Sequence, residues 1–328
     1  MKRRAFIQTM SVIGAGMAAR ATGAYAAADA AAFPTAPVRL VAPFPPGGTV
    51  DILARVVSAQ LTRELGQSVV VENRAGAGGT IGADAVARSK PDGYTILFGA
   101  AHHAIAQTVY PSLPYDIRKM TPISFLGRVD HVLLVTNKLP VKNVSELVAY
   151  LKAHPDTVAY GTPGSGTLHH LMAEQFKAVT GTRMMHVPYK GSSPAMVDLI
   201  SDTIQVYFET MPSALQYVRN GSVRALAVTS KQRSRSLPNL PTIAESGVPN
   251  YDAASWYGLF SAAGTPAPIV AKVNAATARA FEDSAFVTQW RNQGAEPGGG
   301  KPGVLQKLLI SEVDRWSSVA KEANIRIE

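Results

Sequence analysis

Apolar positions change period repeatedly along this chain. Short consecutive apolar runs, which read as buried strands, alternate with stretches where apolar residues recur every three or four positions, which read as helices. At 41–57, VAPFPPGGTVDILARVV, an apolar run breaks into Pro45, Pro46, Gly47 and Gly48, then resumes with Ile52, Leu53, Val56, Val57 and, further on, Leu61 on one helical face. Proline cannot extend a strand and glycine admits backbone angles that other residues avoid, so the stretch predicts strand, tight loop, helix. The construction returns at 158–181, VAYGTPGSGTLHHLMAEQFKAVTG, with Leu168, Leu171, Met172 and Phe176 as the apolar face. With one extra loop residue, Thr167 matches Thr49 and His169 matches Asp51.

Further strands are predicted at 68–72, 94–98, 132–136, 204–208, 223–228 and 256–260. Helices are predicted near 81–88, from Asn143, ending at Ile200, and from Pro266 and Pro302, where proline suits a first turn. Strands alternating with helices imply an α/β fold with a mostly parallel sheet, in which ligands sit beyond the carboxyl ends of the strands. That places His102 and His103 at the edge of a candidate cleft and Glu209 at a strand end. An acid there receives a ligand's ammonium or hydroxyl group, or pairs with a local base.

Each glycine-rich loop delivers bare backbone N–H groups to a helix N-terminus, which attracts carboxylate or phosphate without a basic side chain. Two such units facing one another would act as two jaws on one small anion. The competing reading for either loop alone is structural, with Asp51 merely capping its own helix. For His102 and His103 it is that adjacent histidines in a polar loop lie on the surface.

The N-terminus carries Lys2, Arg3 and Arg4, a modestly apolar stretch, and Ala24-Tyr25-Ala26, the small-x-small form of a signal-peptidase site, so 1–26 reads as an export signal. Arg3-Arg4-Ala5-Phe6-Ile7 resembles a twin-arginine signal, with Lys2 departing from the usual Ser or Thr, and the general export route stays open beside it. The chain has no cysteine, hence no disulfide, no thiol nucleophile and no lipidated N-terminal cysteine. Of 32 basic residues four lie in 1–26, which leaves 28 against 23 acidic, a net +5 for the mature chain. The charges are scattered apart from Lys231, Arg233 and Arg235, so no nucleic-acid surface is expected.

Gly76-Ala77-Gly78-Gly79 lacks the register of a dinucleotide fingerprint and follows a polar turn. No phosphate-binding lysine loop, nucleophile elbow or zinc helix is present, and His169 and His170, about 100° apart on a helix, make a poor metal pair. No cofactor and no metal are expected. The rival to a binding role is an exported hydrolase or isomerase on a carboxylated substrate, with His169 and Glu209 as general base and acid.

VRLVAPFPPGGTVDILAR, GQSVVVENRAGAGGTIGADAVARSKPDGYTIL, PYD at Pro114 to Asp116, HVPYKGSSPAMVDLI, RALAVTSKQRS, LPTIAESGVP and WYGLFSAAGTP together resemble the solute-binding proteins of tripartite tricarboxylate transporters, the Bug family. The resemblance runs from about Pro34 to the end of the chain. It implies a two-lobed periplasmic binding protein of type II-like form: 34–135 with 255–328 as one lobe, 136–254 as the other, two crossing segments, and a cleft that closes on a small carboxylate. It implies a monomer in the periplasm whose partners are that ligand and possible permease subunits. By position, the first jaw offers Phe44, Pro46, Gly47, Gly48, Thr49 and Asp51, and the second Gly161, Thr162, Ser165, Gly166, Thr167 and His169. His102, His103 and Glu209 stand where many members carry other polar residues or Asp, and they bear on the distal end of the ligand.

Overall fold

The computed structural model describes residues 32–249 and 251–322; the export signal read at 1–26 lies outside them. Its first half runs β1 Val38–Ala42, α1 Thr49–Leu65, β2 Val69–Asn73, α2 Thr80–Ala87, β3 Thr95–Ala100, α3 Ala101–Val109 and β4 Thr121–Val135. Then come α4 Val144–Ala153, β5 Ala159–Thr162, α5 Leu168–Thr180, β6 Met185–Pro188, α6 Ser192–Ser201, β7 Val206–Thr210, α7 Met211–Arg219 and β8 Arg224–Val228. The chain closes with β9 Ala254–Ser261, α8 Ala267–Glu282, α9 Ser284–Asn292, β10 Ala295–Pro297 and α10 Pro302–Glu322.

The strands form one path, β2-β1-β3-β9-β4-β7-β5-β6, with β8 and β10 also paired to β4. Strand β1 pairs parallel with β2 and β3, and β5 pairs parallel with β6 and β7. Between the two parallel sets β4 is shared: residues 121–130 run antiparallel to β9, and residues 131–135 antiparallel to β7. The chain crosses back beside it, where Thr229 N–H donates to His131 O at 3.0 Å and Ala253 N–H to Thr229 O at 3.0 Å.

The sequence predicts a strand only at 132–136, and β4 begins eleven residues earlier, with Pro122 and Gly127 inside it. Bulges after Pro122 and after Phe125 absorb both residues, and Gly127 adopts φ +141, a backbone state that glycine takes at little cost. Helix α9 was not expected. It begins because the Asp283 carboxylate accepts from Ala285 N–H at 2.8 Å, capping a helix start.

Alternate residues of each strand serve opposite faces of the sheet. Val41, Leu97, Leu133, Trp256 and Phe260 pack in one core with α3, α5 and α10. Leu40, Phe98, Leu134, Tyr257 and Leu259 pack in the other with α1, α6 and α8. Both cores run the length of the sheet, so β4 carries the load shared by the two halves. Leu134 is fully buried in it. Leu134→Ala should cost about 2–5 kcal/mol in urea unfolding and do so in a single transition; a loss below about 1 kcal/mol, or two separate transitions, would show that the halves do not share this core.

Candidate ligand-binding site

Five helices begin at one point between the halves, and each follows directly from a strand that ends there: β1 to α1, β3 to α3, β5 to α5, β6 to α6 and β7 to α7. None of the five has a side-chain cap; of the helices that begin elsewhere, Asn143 and Asp283 cap α4 and α9, while α2 and α8 also start without one. Their unpaired N–H groups and partial positive charge meet at a cavity of about 40 Å³. Its lining comes from all five starts: Phe44, Pro45, Gly48, Thr49 and Val50; His102; Pro163, Thr167, Leu168 and His169; Ser192; and Thr210. Ser255 and Tyr257 of the crossing strand β9 complete it. No lysine or arginine is in the lining.

The cleft is shut. Ser193 Oγ lies 3.4 Å from Pro46 O, and Thr49 hydrogen-bonds Thr210 and, at 2.7 Å, Ser213, so groups from the two halves touch on either side of the cavity. Outside it lies a chamber of about 630 Å³ that shares Phe44, Pro45 and Pro163 and is otherwise lined by Gly76, Gly78, Tyr110, Ser165, Tyr189, Lys190 and their neighbours.

The structure brings Phe44, Gly48, Thr49, His102, Thr167 and His169, all nominated from the sequence, into the cavity wall. Ser165 faces the outer chamber instead. Others brace the loops from behind. Asp51 does not cap its helix from the N-cap position; it accepts from Gly47 N–H at 3.1 Å, Asn73 Nδ2 at 3.0 Å and Arg55 Nε at 3.0 Å. Burial raises its carboxyl, but these three partners outweigh that and hold it below its ordinary value. Gly47, at φ +84, makes the turn beside Pro46. In the second loop Thr162 and Thr167 hydroxyls meet Gly164 O at 3.2 and 2.7 Å, Thr162 also meets His186 Nε2 at 2.7 Å, and Gly166 N–H points to His170 Nδ1 at 3.3 Å. Gly161 sits within β5, where a side chain would run into Ile204. His103 is not a surface residue; it is fully buried behind His102, with Nδ1 3.3 Å from the Tyr115 hydroxyl.

Glu209 is also fully buried, at the end of β7. One oxygen accepts from Thr210 N–H at 2.7 Å and lies 3.5 Å from His169 Nε2. Burial pushes the carboxyl up, and His169, Thr210 and Tyr207 together overcome that and keep it below its ordinary value. Of the two roles open for this acid, the local partner is therefore present. Ser192 and Thr210 were missed although their signal was the one used for the first two jaws, a strand running through a small-residue turn into a helix. Ser255 and Tyr257 had no such signal, since a crossing strand reaches the cavity only through the tertiary fold.

A model of the tripartite tricarboxylate transporter family receptor matches residues 53–325, and the chain belongs to that family. It is 38% identical over 322 residues to protein BugT of Bordetella pertussis, covering 97% of this chain and 98% of that one. A structure of R. palustris Rpa4515 with adipate superposes with a TM-score of 0.88 at 40% identity, covering 90% of this chain and 99% of the other. The periplasmic binding protein BugD gives a TM-score of 0.87 at 33% identity, over 90% of this chain and 100% of that one. The fold is the two-lobed one of solute-binding receptors.

Burial drives His103 down to about 3 and His131 well below its ordinary value; His102 is likewise lowered, by burial first and then by His103 and His169. These rings stay neutral when folded, while the unfolded chain protonates them below about pH 6.5, so their stabilisation is complete above that pH and is lost as pH falls. Between pH 7 and pH 5 His103 alone should cost about 2 kcal/mol of unfolding free energy. Urea titrations at both pH values check this, with His103→Phe reducing the difference by about 2 kcal/mol and leaving the share of His102 and His131; equal stability at both would show the rings are not held neutral.

Proposed function

We propose that this chain is an exported, monomeric receptor that captures a small di- or tricarboxylate and holds it in the closed cleft for permease subunits of a tripartite tricarboxylate transporter or for a sensor. The observation that carries the reading is the convergence of five helix starts without side-chain caps on a cavity with no basic side chain. Each start offers roughly half a positive charge, so the set suits an anion of charge two or more. The adipate held by Rpa4515 at 40% identity supports the same class, and BugD, a periplasmic protein, supports the compartment. The division at 34–135 with 255–328 against 136–254 is supported by β4 and the return at Thr229, although β4 changes partners at Asp130 and His131 rather than at its end.

Binding involves no chemistry on the ligand. One carboxylate docks on the loops at Gly48 and Thr167, and closure follows because only the shut form engages both halves. As general acid and base, Glu209 and His169 would need an activated water or nucleophile, and Glu209 faces His169 and Thr210 rather than the cavity wall.

Calorimetry on the mature protein with adipate, succinate, malate, citrate and monocarboxylates tests the reading. A ligand of micromolar affinity at millimolar concentration should add about 4 kcal/mol to stability. Gly48 lies at φ −86, and an added Cβ would sit 3.7 Å from Ser192 Cβ. Gly48→Ala should therefore bind nearly as the parent, while Gly48→Trp should melt normally and lose binding. Turnover of any bound acid, or full affinity in Gly48→Trp, would overturn the proposal.

A further inference from the structure

Behind the cavity lies a cluster of buried polar groups that the docking of one carboxylate does not use. His169 stands in the first turn of α5 with its side chain in the cavity wall, and neither ring nitrogen has a hydrogen-bond partner among the described residues. The same holds for His102 Nε2, His131 Nδ1, Tyr207 Oη and Glu209 Oε2. The titratable groups facing His169 are Glu209 and Tyr207 from β7, His131 from β4 with ring centroids 5.0 Å away, and His102 from α3. Glu209 is the one anion among them, and no lysine or arginine lines the cavity to balance it.

His169 is the group that joins this anion to the ligand space. If Nε2–H serves Glu209, a neutral ring presents Nδ1 as a lone pair, which repels an incoming carboxylate. A protonated ring presents N–H on both sides, one to Glu209 and one to the ligand. A second ligand carboxylate at this end therefore needs the proton, since otherwise two buried anions would face each other across a neutral ring. His102 and His131 are poor alternatives as the proton holder, because burial without an adjacent anion favours their neutral forms.

We propose that His169, backed by Glu209, is the station for the second acidic group of the ligand, and that this receptor captures a short dicarboxylate dianion together with one proton from solvent. This rests on the carboxylate-receptor reading above and deepens it. Selectivity then lies in the distal end: a half-amide of the same length brings no charge to His169 and leaves the proton behind.

Calorimetry at pH 8 and pH 9, in Tris and in EPPS, reads protons taken up per ligand from the difference in buffer heats. The probes are succinate, malate and adipate with succinamate and adipamate. The expected result is uptake of about one proton per dicarboxylate and a Kd that weakens about tenfold per pH unit, with no uptake for a half-amide. His169→Gln, folded by its melt, should lose the proton uptake and weaken dicarboxylate binding by about 30-fold or more. A dicarboxylate bound without proton uptake, or uptake that survives in His169→Gln, overturns the role of His169. Binding of monocarboxylates alone leaves the receptor reading standing and removes the dianion assignment, whereas no heat with any acid removes both.

Discussion

Strand direction is the constraint from which the rest of this molecule follows. Because β1, β3, β5, β6 and β7 all end at the cleft, the helices that follow them all begin there, and each brings unpaired N–H groups to the same small volume. In water these donors cost little. In a shut cavity they need an acceptor, and an anion is the acceptor that also satisfies the helix dipoles. A buried arginine would have to pay its own desolvation and would grip its partner as an ion pair; fixed backbone dipoles stay in place whether or not the anion is present. That suits a protein whose task ends in release.

Side chains around the cavity divide into those that face it and those that hold the loops still. Asp51, joined to Gly47, Asn73 and Arg55, fixes the first loop without reaching the cavity wall. His170 and His186 do the same for the second through Gly166 and Thr162, and their rings stack at 4.1 Å. The bracing is polar and buried, so it is worth most when complete: each partner lost strands another group in low dielectric. The positional matches of Asp51 to His169 and of Thr49 to Thr167 thus conceal unlike roles. His169 lines the cavity while Asp51 faces its own loop.

Much of this was legible in the chain. The two Gly/Pro loops marked two of the five helix starts, and the strand and helix boundaries around them fell within a few residues because local backbone chemistry sets them. The fourth and fifth starts, at Ser192 and Thr210, carried the same local signal in weaker form. What could not be read was anything decided by the crossing. Pro122 and Gly127 look like breaks, yet bulges carry β4 through them. Ser255 and Tyr257 reach the cavity only because β9 lies between β3 and β4. The contact of Glu209 with His169 joins residues forty apart in sequence, and no periodicity announces it.

The shut cleft has few groups of its own to keep it shut. Across it Ser193 meets Pro46, and Thr49 meets Thr210 and Ser213, all hydroxyl contacts that water would replace at little cost when the halves part. The crossing segments, by contrast, are continuous backbone ladders at β4 and beside Thr229. Opening at these points would break weak contacts and leave the crossing strands intact, and a ligand that touches both halves would favour the shut form. A ligand that met only one jaw would bind both forms alike and shift nothing. An anion held at the five helix starts would shift the balance, because those starts come from both halves, three from one parallel set and two from the other. Affinity and closure are in this way the same interaction, and a receptor built so reports its cargo by its shape.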